Sequence, residues 1–197
     1  MLHAFAKLGR MPGAEALAAL ETAVVRLGPG MEPQNVAITI FSFAKLGQMP
    51  VAEAWAALWA AVARVAPRMN AQEVSNTLWV FITLAATRGV PLPACYRALW
   101  RAARGLEVGT LNDLDLANMF HAYLIHTELV GGHELEDLTF PPWIMHGGRE
   151  KWIINARDNV TISSWVYHVA SILTDLGVPH EAGGPLQTTF RPTLNQN

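Results

Sequence analysis

Apolar residues recur every three to four positions through the first half of the chain, which is the spacing of one buried stripe along an α-helix. One stripe covers residues 36–46 and the next covers residues 55–62. Pro33 suits the first turn of a helix, and Gly47 suits the end of one. The pattern therefore predicts two helices joined by a turn short enough to make them antiparallel neighbours.

The same pattern repeats along the chain. Residues 5–36 match residues 43–74 at about 20 of 32 positions, with a constant shift of 38 residues. A further shift of 38 carries the stripe into a third unit, and a shift of 42 carries Asn70 onto Asn112 and begins a fourth unit near residue 111. A period of this length is typical of stacked helix pairs. We therefore predict an all-α fold, an α-solenoid of antiparallel helix pairs with a period of about 38 residues.

The repeat pattern ends after Thr127, where pairs of glycines and prolines interrupt the chain. We predict helical repeats over residues 1–127, an irregular capping insertion with C-terminal helices over residues 128–182, and an extended or disordered tail over residues 183–197. The second region includes a helix near residues 148–157 and another whose apolar stripe runs from Trp165 to Leu176. The tail is rich in Gly, Pro, Thr, Gln and Asn and cannot build a core.

Composition limits the classes of function. Apolar residues make up 51% of the chain and charged residues 15%, so a core is expected and a disordered chain is excluded. The single cysteine excludes an intramolecular disulfide and any zinc site with several cysteines. No apolar run approaches the roughly 18 residues that would span a bilayer, so we expect no membrane partner.

The sequence carries no recognisable catalytic motif. It has no Gly-rich phosphate-binding loop, no Gly-x-Ser-x-Gly and no pair of carboxylates at catalytic spacing. His121 and His126 are five residues apart, which places them on different faces of a helix, so no metal site is expected. We predict a protein that is not an enzyme and that takes no cofactor, no metal and no small-molecule substrate.

Charge is distributed unevenly, although the net charge is only −2. Residues 54–106 carry six arginines against the single acid Glu73, whereas residues 107–197 carry four basic and eleven acidic residues. Phosphate contacts supply most of the salt-sensitive affinity of nucleic-acid binders, so the cationic middle of the chain is a candidate for RNA contact. We expect the acidic C-terminal third to contact neighbouring proteins.

Residues 35–47 and 74–81 resemble octotricopeptide repeats, whose nominal length is also about 38 residues. The resemblance covers roughly residues 2–127, and residues 156–181 are similar to the region that precedes a RAP domain in such proteins, although no RAP domain follows here. The resemblance implies RNA binding in mitochondria or, alternatively, in chloroplasts. A short array suits a structural subunit of an organellar ribonucleoprotein that stabilises ribosomal RNA, above all in the mitochondrial ribosome.

Two sets of side chains are candidates for RNA contact. Small polar side chains on the first helix of each pair can hydrogen-bond to bases, and cationic side chains can bind phosphate. The polar stripe contains Lys7, Asn35, Thr39, Ser42, Lys45 and Thr77. The arginine set contains Arg64, Arg68, Arg88, Arg97, Arg101 and Arg104. Trp143 and Trp152 lie in the irregular insertion and are candidates for contact with a partner protein.

Each set has a structural alternative. The polar stripe can be an ordinary solvated face, and arginines near helix C-termini can be explained by the helix dipole, which is worth roughly 0.3–1 kcal/mol for each cation. The whole chain has alternatives too. It can be a protein–protein scaffold without RNA contact, or a free organellar factor for RNA maturation or translation.

Overall fold

The computed structural model describes residues 1–130 and 140–158, and all regular structure in these ranges is helical. The eight helices described are α1 Leu2–Leu8, α2 Ala14–Leu27, α3 Pro33–Lys45, α4 Ala52–Val65, α5 Ala71–Arg88, α6 Cys95–Arg104, α7 Asp113–Val130 and α8 Arg149–Asp158. The prediction of an all-α chain is confirmed for these residues. The predicted helix at Trp165–Leu176 and the predicted tail at 183–197 lie outside them.

Three odd-numbered helices end at the glycines that the sequence marks as stops. Gly9, Gly47 and Gly89 follow α1, α3 and α5, and each has a φ between 61° and 66°. Glycine favours this left-handed conformation because it has no Cβ, so it stops a helix at little cost. Gly9 and Gly47 are separated by 38 residues, the shift between the first two units. Gly89 lies four residues beyond the position equivalent to Gly47, because α5 continues to Arg88.

Two helix starts carry the predicted caps. Asn70 Oδ1 accepts from the Glu73 amide at 3.0 Å, and the Glu73 carboxylate accepts from the Asn70 amide at 2.8 Å. Asn112 and Asp115 form the equivalent pair at 2.9 and 3.3 Å. Both α5 and α7 therefore begin with reciprocal bonds that satisfy otherwise unpaired amides. A short 3₁₀ turn precedes each of α3, α5 and α7, at Gly28–Gly30, Ala66–Arg68 and Val108–Thr110.

The odd-numbered helices pack in sequence, α1 on α3, α3 on α5 and α5 on α7. Two contacts show that α3 and α5 run in the same direction. The rings of Phe41 and Trp79 lie 6.0 Å apart, and at the C-terminal ends Arg88 Nη2 donates to the carbonyl of Gly47 at 2.8 Å. At the other end of α5, Ser75 Oγ donates to the buried Asp115 of α7 at 2.7 Å.

The even-numbered helices pack in the same way, α2 on α4 and α4 on α6. The Val51 amide donates to Glu21 Oε1 at 2.9 Å near the start of α4, and Arg64 Nη2 donates to the carbonyl of Met31 at 2.7 Å near its end. The contacts occur in the same order along both helices, so α2 and α4 are parallel. Within a unit, α3 packs on α4 and α5 on α6.

The apolar stripes form the core between these helices. Val36, Ile40 and Phe43 of α3 are buried, as are Leu58 and the other main stripe residues of α4, except that Trp59 is half-buried. Burial of this kind of side chain is worth roughly 1.5–3 kcal/mol each. The stripes predicted from periodicity are therefore the surfaces on which the repeats pack.

Part of the predicted insertion covers α7. A five-residue π-helical segment, Ile144–Gly148, packs on α7, and Ile144 is fully buried. A Cβ at Gly148 would lie 3.0 Å from that of Phe120, so glycine permits the close approach. Contacts divide the chain into two units, Met1–Trp152 and Ile153–Asn197, and only the last residues of α8 are described in the second. Among the helices described, none is long and apolar enough to cross a membrane.

Candidate nucleic-acid interface

All six predicted arginines are exposed, but they lie at two ends of the helices. Arg88 ends α5 and Arg97 lies in the first turn of α6, so both flank the α5–α6 turn. The other four lie around the C-terminal ends of α4 and α6, namely Arg64, Arg68, Arg101 and Arg104. The 18 residues of α5 separate the two groups by about 27 Å. The arginine set is therefore two surfaces rather than one.

A row of cations lies where the odd-numbered helices end and the even-numbered ones begin. We call this row the basic edge, and it consists of Lys7, Arg10, Lys45, Arg88 and Arg97. All five are exposed. Lys7 and Lys45 occupy the same position two residues before the left-handed glycine that ends each helix. The edge is built by the repeat, because each of the first three units places a cation beside its turn.

Acidic residues accompany the cations at both edges. At the basic edge the exposed acids among the described residues are Glu15 and Glu53, in the first turns of α2 and α4, and Glu128, in the last turn of α7. The opposite edge has five exposed arginines, Arg26, Arg64, Arg68, Arg101 and Arg104, beside the exposed acids Glu32, Glu107 and Asp113, while Glu73 is half-buried and Asp115 is buried. The two edges therefore differ in how their cations are held.

Two arginines of the opposite edge have structural partners. Arg64 Nη2 donates to the carbonyls of Gly28 at 3.2 Å and Met31 at 2.7 Å, so it closes the end of the preceding repeat. Arg68 pairs with Glu32 at 3.2 Å, and both side chains are more than half exposed. Such an exposed ion pair contributes little to stability, at most about 1 kcal/mol. These contacts support the structural explanation for Arg64 and weaken the case for Arg68 as a phosphate ligand.

The cations of the basic edge are held differently. Arg88 donates to Gly47 and so ties α5 to the end of α3 while remaining exposed. Lys7 and Lys45 lie in the last turns of α1 and α3, where the helix dipole favours a cation. Neither lysine forms an ion pair with a residue in the described ranges, so their ammonium groups can take an external anion.

The predicted polar stripe is only partly on the surface. Asn35 and Lys45 are exposed and Thr39 is half-buried, but the predictions for Ser42 and Thr77 are wrong because both are fully buried. The reason is that α3 and α5 each lie between two other helices, so more than one face of each helix is covered.

The two buried hydroxyls are satisfied inside the protein. Ser42 Oγ donates to the carbonyl of Ile38 at 2.6 Å and lies 3.5 Å from Nδ1 of His3. Thr77 Oγ1 donates to the carbonyl of Glu73 at 2.7 Å. Such bonds to the preceding turn let a hydroxyl enter a helix interface. The alignment of the repeats indicates that position 42 is buried, since Ser42 aligns with the apolar Val80 in the next unit.

The two tryptophans proposed for partner contact are half-buried. Trp152 Nε1 lies 3.2 Å from His121 Nδ1, and its ring lies 5.8 Å from that of Phe120. Trp152 therefore packs on α7 within the protein, which gives it a structural role. Arg10 is a member of the basic edge that the sequence analysis missed. Its position one residue after Gly9 could have identified it.

His126 is a buried histidine whose surroundings disfavour protonation of the ring. The ring is 2% exposed, both its nitrogens lack a hydrogen-bond partner among the residues that the structure describes, and it faces the rings of Tyr96 at 5.6 Å and Phe140 at 5.5 Å. Burial lowers the pKa of His126 below its usual 6.5 because a charged imidazolium would lose its hydration. Burial also raises the pKa of the Cys95 thiol on α6 to about 12, which disfavours the reactive thiolate.

We expect His126 to make the protein less stable in acid. The unfolded chain binds a proton on this histidine near pH 6.5, whereas the folded chain binds it only at lower pH. The stability contributed by the neutral His126 is therefore complete above the unfolded pKa and is lost as pH falls. Urea unfolding of the chain and of His126→Phe, between about pH 7.5 and pH 5, measures the effect. The free energy of unfolding of His126→Phe should depend less on pH than that of the original chain. Identical slopes for the two proteins would contradict the assignment.

No protein-family model, curated protein or solved structure matches the chain.

Proposed function

We propose that this protein is a non-catalytic, RNA-binding helical-repeat protein in which the stacked pairs form an α-solenoid and the basic edge holds the RNA backbone. The observation that carries the proposal is the row of five exposed cations, in which Lys7 and Lys45 form no ion pair with a residue in the described ranges. In a protein with a net charge of −2, this row of cations is the feature best suited to a polyanion.

The spacing of the basic edge suits a single strand. Packed helices lie about 8–10 Å apart, so cations that recur once per repeat form a row with a regular step. A strand that follows this row gains several phosphate contacts without presenting a particular sequence. Asn35 and Thr39 on α3 are the remaining polar residues of the predicted stripe that can reach solvent and add contacts to bases.

The cellular role follows from the resemblance to octotricopeptide repeats. We propose a structural component of an organellar ribonucleoprotein that stabilises ribosomal RNA, with the mitochondrial ribosome ahead of the chloroplast ribosome. The few repeats favour a resident subunit over a free RNA maturation factor, because a short array contacts few nucleotides. In this proposal neighbouring proteins are further partners.

A protein–protein scaffold without RNA contact is the second candidate. It is favoured by the exposed apolar residues Leu8 and Leu27 on the first helix pair, which RNA does not need. It is also consistent with cations that only complement helix dipoles. The two functions differ in one measurable property, the dependence of binding on salt.

The full chain should bind single-stranded RNA with strong salt dependence. Neutralising up to five phosphates predicts a plot of log affinity against log salt concentration with a slope of about −3.5, because each contact contributes roughly −0.7 on a single strand. Fluorescence anisotropy with a mixed-sequence RNA measures this slope. A slope near zero, or no binding at low salt, would favour the scaffold. Co-sedimentation with a ribosomal subunit in organelle extract tests the cellular role separately.

A further inference from the structure

Half-buried aromatic rings occupy one equivalent position in the first three odd-numbered helices. Successive shifts of 38 residues carry His3 of α1 onto Phe41 of α3 and then onto Trp79 of α5, and all three are half-buried. His3 Nδ1 lies 3.5 Å from Oγ of Ser42, the residue after Phe41, and the rings of Phe41 and Trp79 lie 6.0 Å apart. The rings therefore continue from one helix to the next. We call His3, Phe41 and Trp79 the aromatic row.

The aromatic row lies outside the core. On α5 the buried stripe faces the even-numbered helices, since the ring of Phe81 lies 6.0 Å from that of Trp55 on α4. Trp79 precedes Phe81 by two residues, and two residues turn an α-helix by about 200°. Trp79 therefore points away from the even-numbered helices, which explains why its ring is only half-buried.

A lysine follows the ring in the first two members of the row. Lys7 and Lys45 come four residues after His3 and Phe41, so ring and ammonium share one side of the helix at a rise of about 6 Å. Both lysines belong to the basic edge, and neither forms an ion pair with a residue in the described ranges. A ligand that covers the ring and reaches the lysine must join a flat apolar part to an anionic group. A nucleotide has both.

The fourth unit shows how the protein covers this position itself. A shift of 42 carries Trp79 onto His121 of α7, which is 3% exposed. The ring of Trp152 lies 6.5 Å from the His121 ring at an angle of 35°, and Trp152 Nε1 lies 3.2 Å from His121 Nδ1. The residue four positions after His121 is the buried Ile125 rather than a lysine. The covered position thus takes an aromatic ring and has no cation beside it, whereas both positions that carry the cation are partly open.

We propose that the aromatic row stacks the bases of the RNA strand whose phosphates the basic edge binds. The inference rests on the proposed function and concerns the part of the nucleotide that the cations do not contact. The strand crosses α1, α3 and α5, with its phosphates at the helix ends and its bases one turn back along each helix. Every base has a π-face, so stacking adds affinity without selecting a sequence. The lysines after His3 and Phe41 favour this occupant over an aromatic side chain of a partner protein, because they match an anionic group on the same ligand.

Two oligoribonucleotides of equal length test the inference on the unaltered chain. One carries bases and the other has stable abasic residues at every position, so both present the same phosphates. Fluorescence anisotropy should show that the strand with bases binds about tenfold or more tightly, because the abasic strand has nothing to stack. Equal affinities would overturn the inference and leave the proposed function intact. Failure of both strands to bind would overturn the proposed function and the inference with it.

Matched variants test whether the gain comes from the aromatic row. Phe41→Leu combined with Trp79→Leu should weaken binding of the strand with bases by about tenfold or more. Affinity for the abasic strand and the slope of log affinity against log salt should not change, because every cation remains. Trp59→Leu removes a half-buried tryptophan from α4, outside the row, and should leave both affinities unchanged. Circular dichroism verifies that each variant keeps its helices.

The conservative variant Trp79→Phe keeps a ring in the row. It should bind the strand with bases within about threefold of the original chain, because phenylalanine also stacks on bases. A double leucine variant that binds this strand as tightly as the original chain would overturn the inference. So would equal losses of affinity for the two strands, which would show that the rings act only through the fold. The comparison of the two strands on the unaltered chain stands even where a variant fails to fold.

Discussion

Replacing Lys7, Arg10, Lys45 and Arg97 together with alanine should lower the affinity for single-stranded RNA by the order of 100-fold at about 0.1 M salt. Each lost phosphate contact removes roughly 0.7 from the salt slope of single-strand binding, so the slope should fall by about 3. Arg88 is left in place because it also holds Gly47. The four substituted side chains are exposed, so the fold should be retained, which circular dichroism can verify. Anisotropy titrations at several salt concentrations measure both quantities.

The matched control removes the same number of charges from the opposite edge. Arg26, Arg68, Arg101 and Arg104 are also exposed, and neutralising them changes the net charge of the protein equally. Arg68 is already paired with Glu32, and the proposed RNA site lies at the basic edge, so the expected loss of RNA affinity is less than about tenfold. Equal losses from the two quadruple variants would show that RNA responds only to total charge. A larger loss from the control would place the RNA on the opposite edge.

Replacing Trp100 with alanine should destabilise the protein by about 3–5 kcal/mol. The side chain is fully buried, and its ring meets those of Tyr96 at 6.2 Å and Phe140 at 4.7 Å, so truncation leaves a large cavity between helix α6 and the segment after α7. Such a loss is a large fraction of the stability of a typical domain. Urea unfolding followed by circular dichroism gives the free energy.

Two variants show whether the lost volume is the cause. Trp100→Phe keeps much of the ring and removes an indole N–H that has no partner in the described structure, so its cost should be smaller, roughly 1–2 kcal/mol. Trp59→Ala affects a half-buried tryptophan and should cost less than Trp100→Ala. A loss below about 1 kcal/mol for Trp100→Ala would contradict the packing of α6.

The helices could be predicted because the same apolar spacing and the same stop residues recur in successive repeats. Apolar spacing located the stripe that contains Ile40 and Leu58, and glycine at 47 and 89 located the stops. Capping at Asn70 followed from an acid three residues later. These signals are local, so they do not depend on how the helices are arranged in space.

The candidate site could be predicted only in part because it depends on which helix ends meet. Ser42 reads as a surface hydroxyl when α3 is considered alone, but a helix between two others has more than one covered face. Arg88 and Arg101 are close in sequence yet lie at opposite helix ends, since α6 reverses the direction of α5. Comparing equivalent positions in successive repeats would have shown that Ser42 is buried. Tracing the direction of each helix would have shown that the arginines form two surfaces.

Ultraviolet cross-linking of the full chain to single-stranded RNA, followed by sequencing of the linked peptides, tests the central claim most directly. If the cations of successive repeats hold the RNA along the basic edge, the cross-links should fall in the turns at residues 8–13, 46–51 and 89–97. Cross-links confined to residues 26–32, 66–72 and 105–112 would place the RNA on the opposite edge and contradict the account.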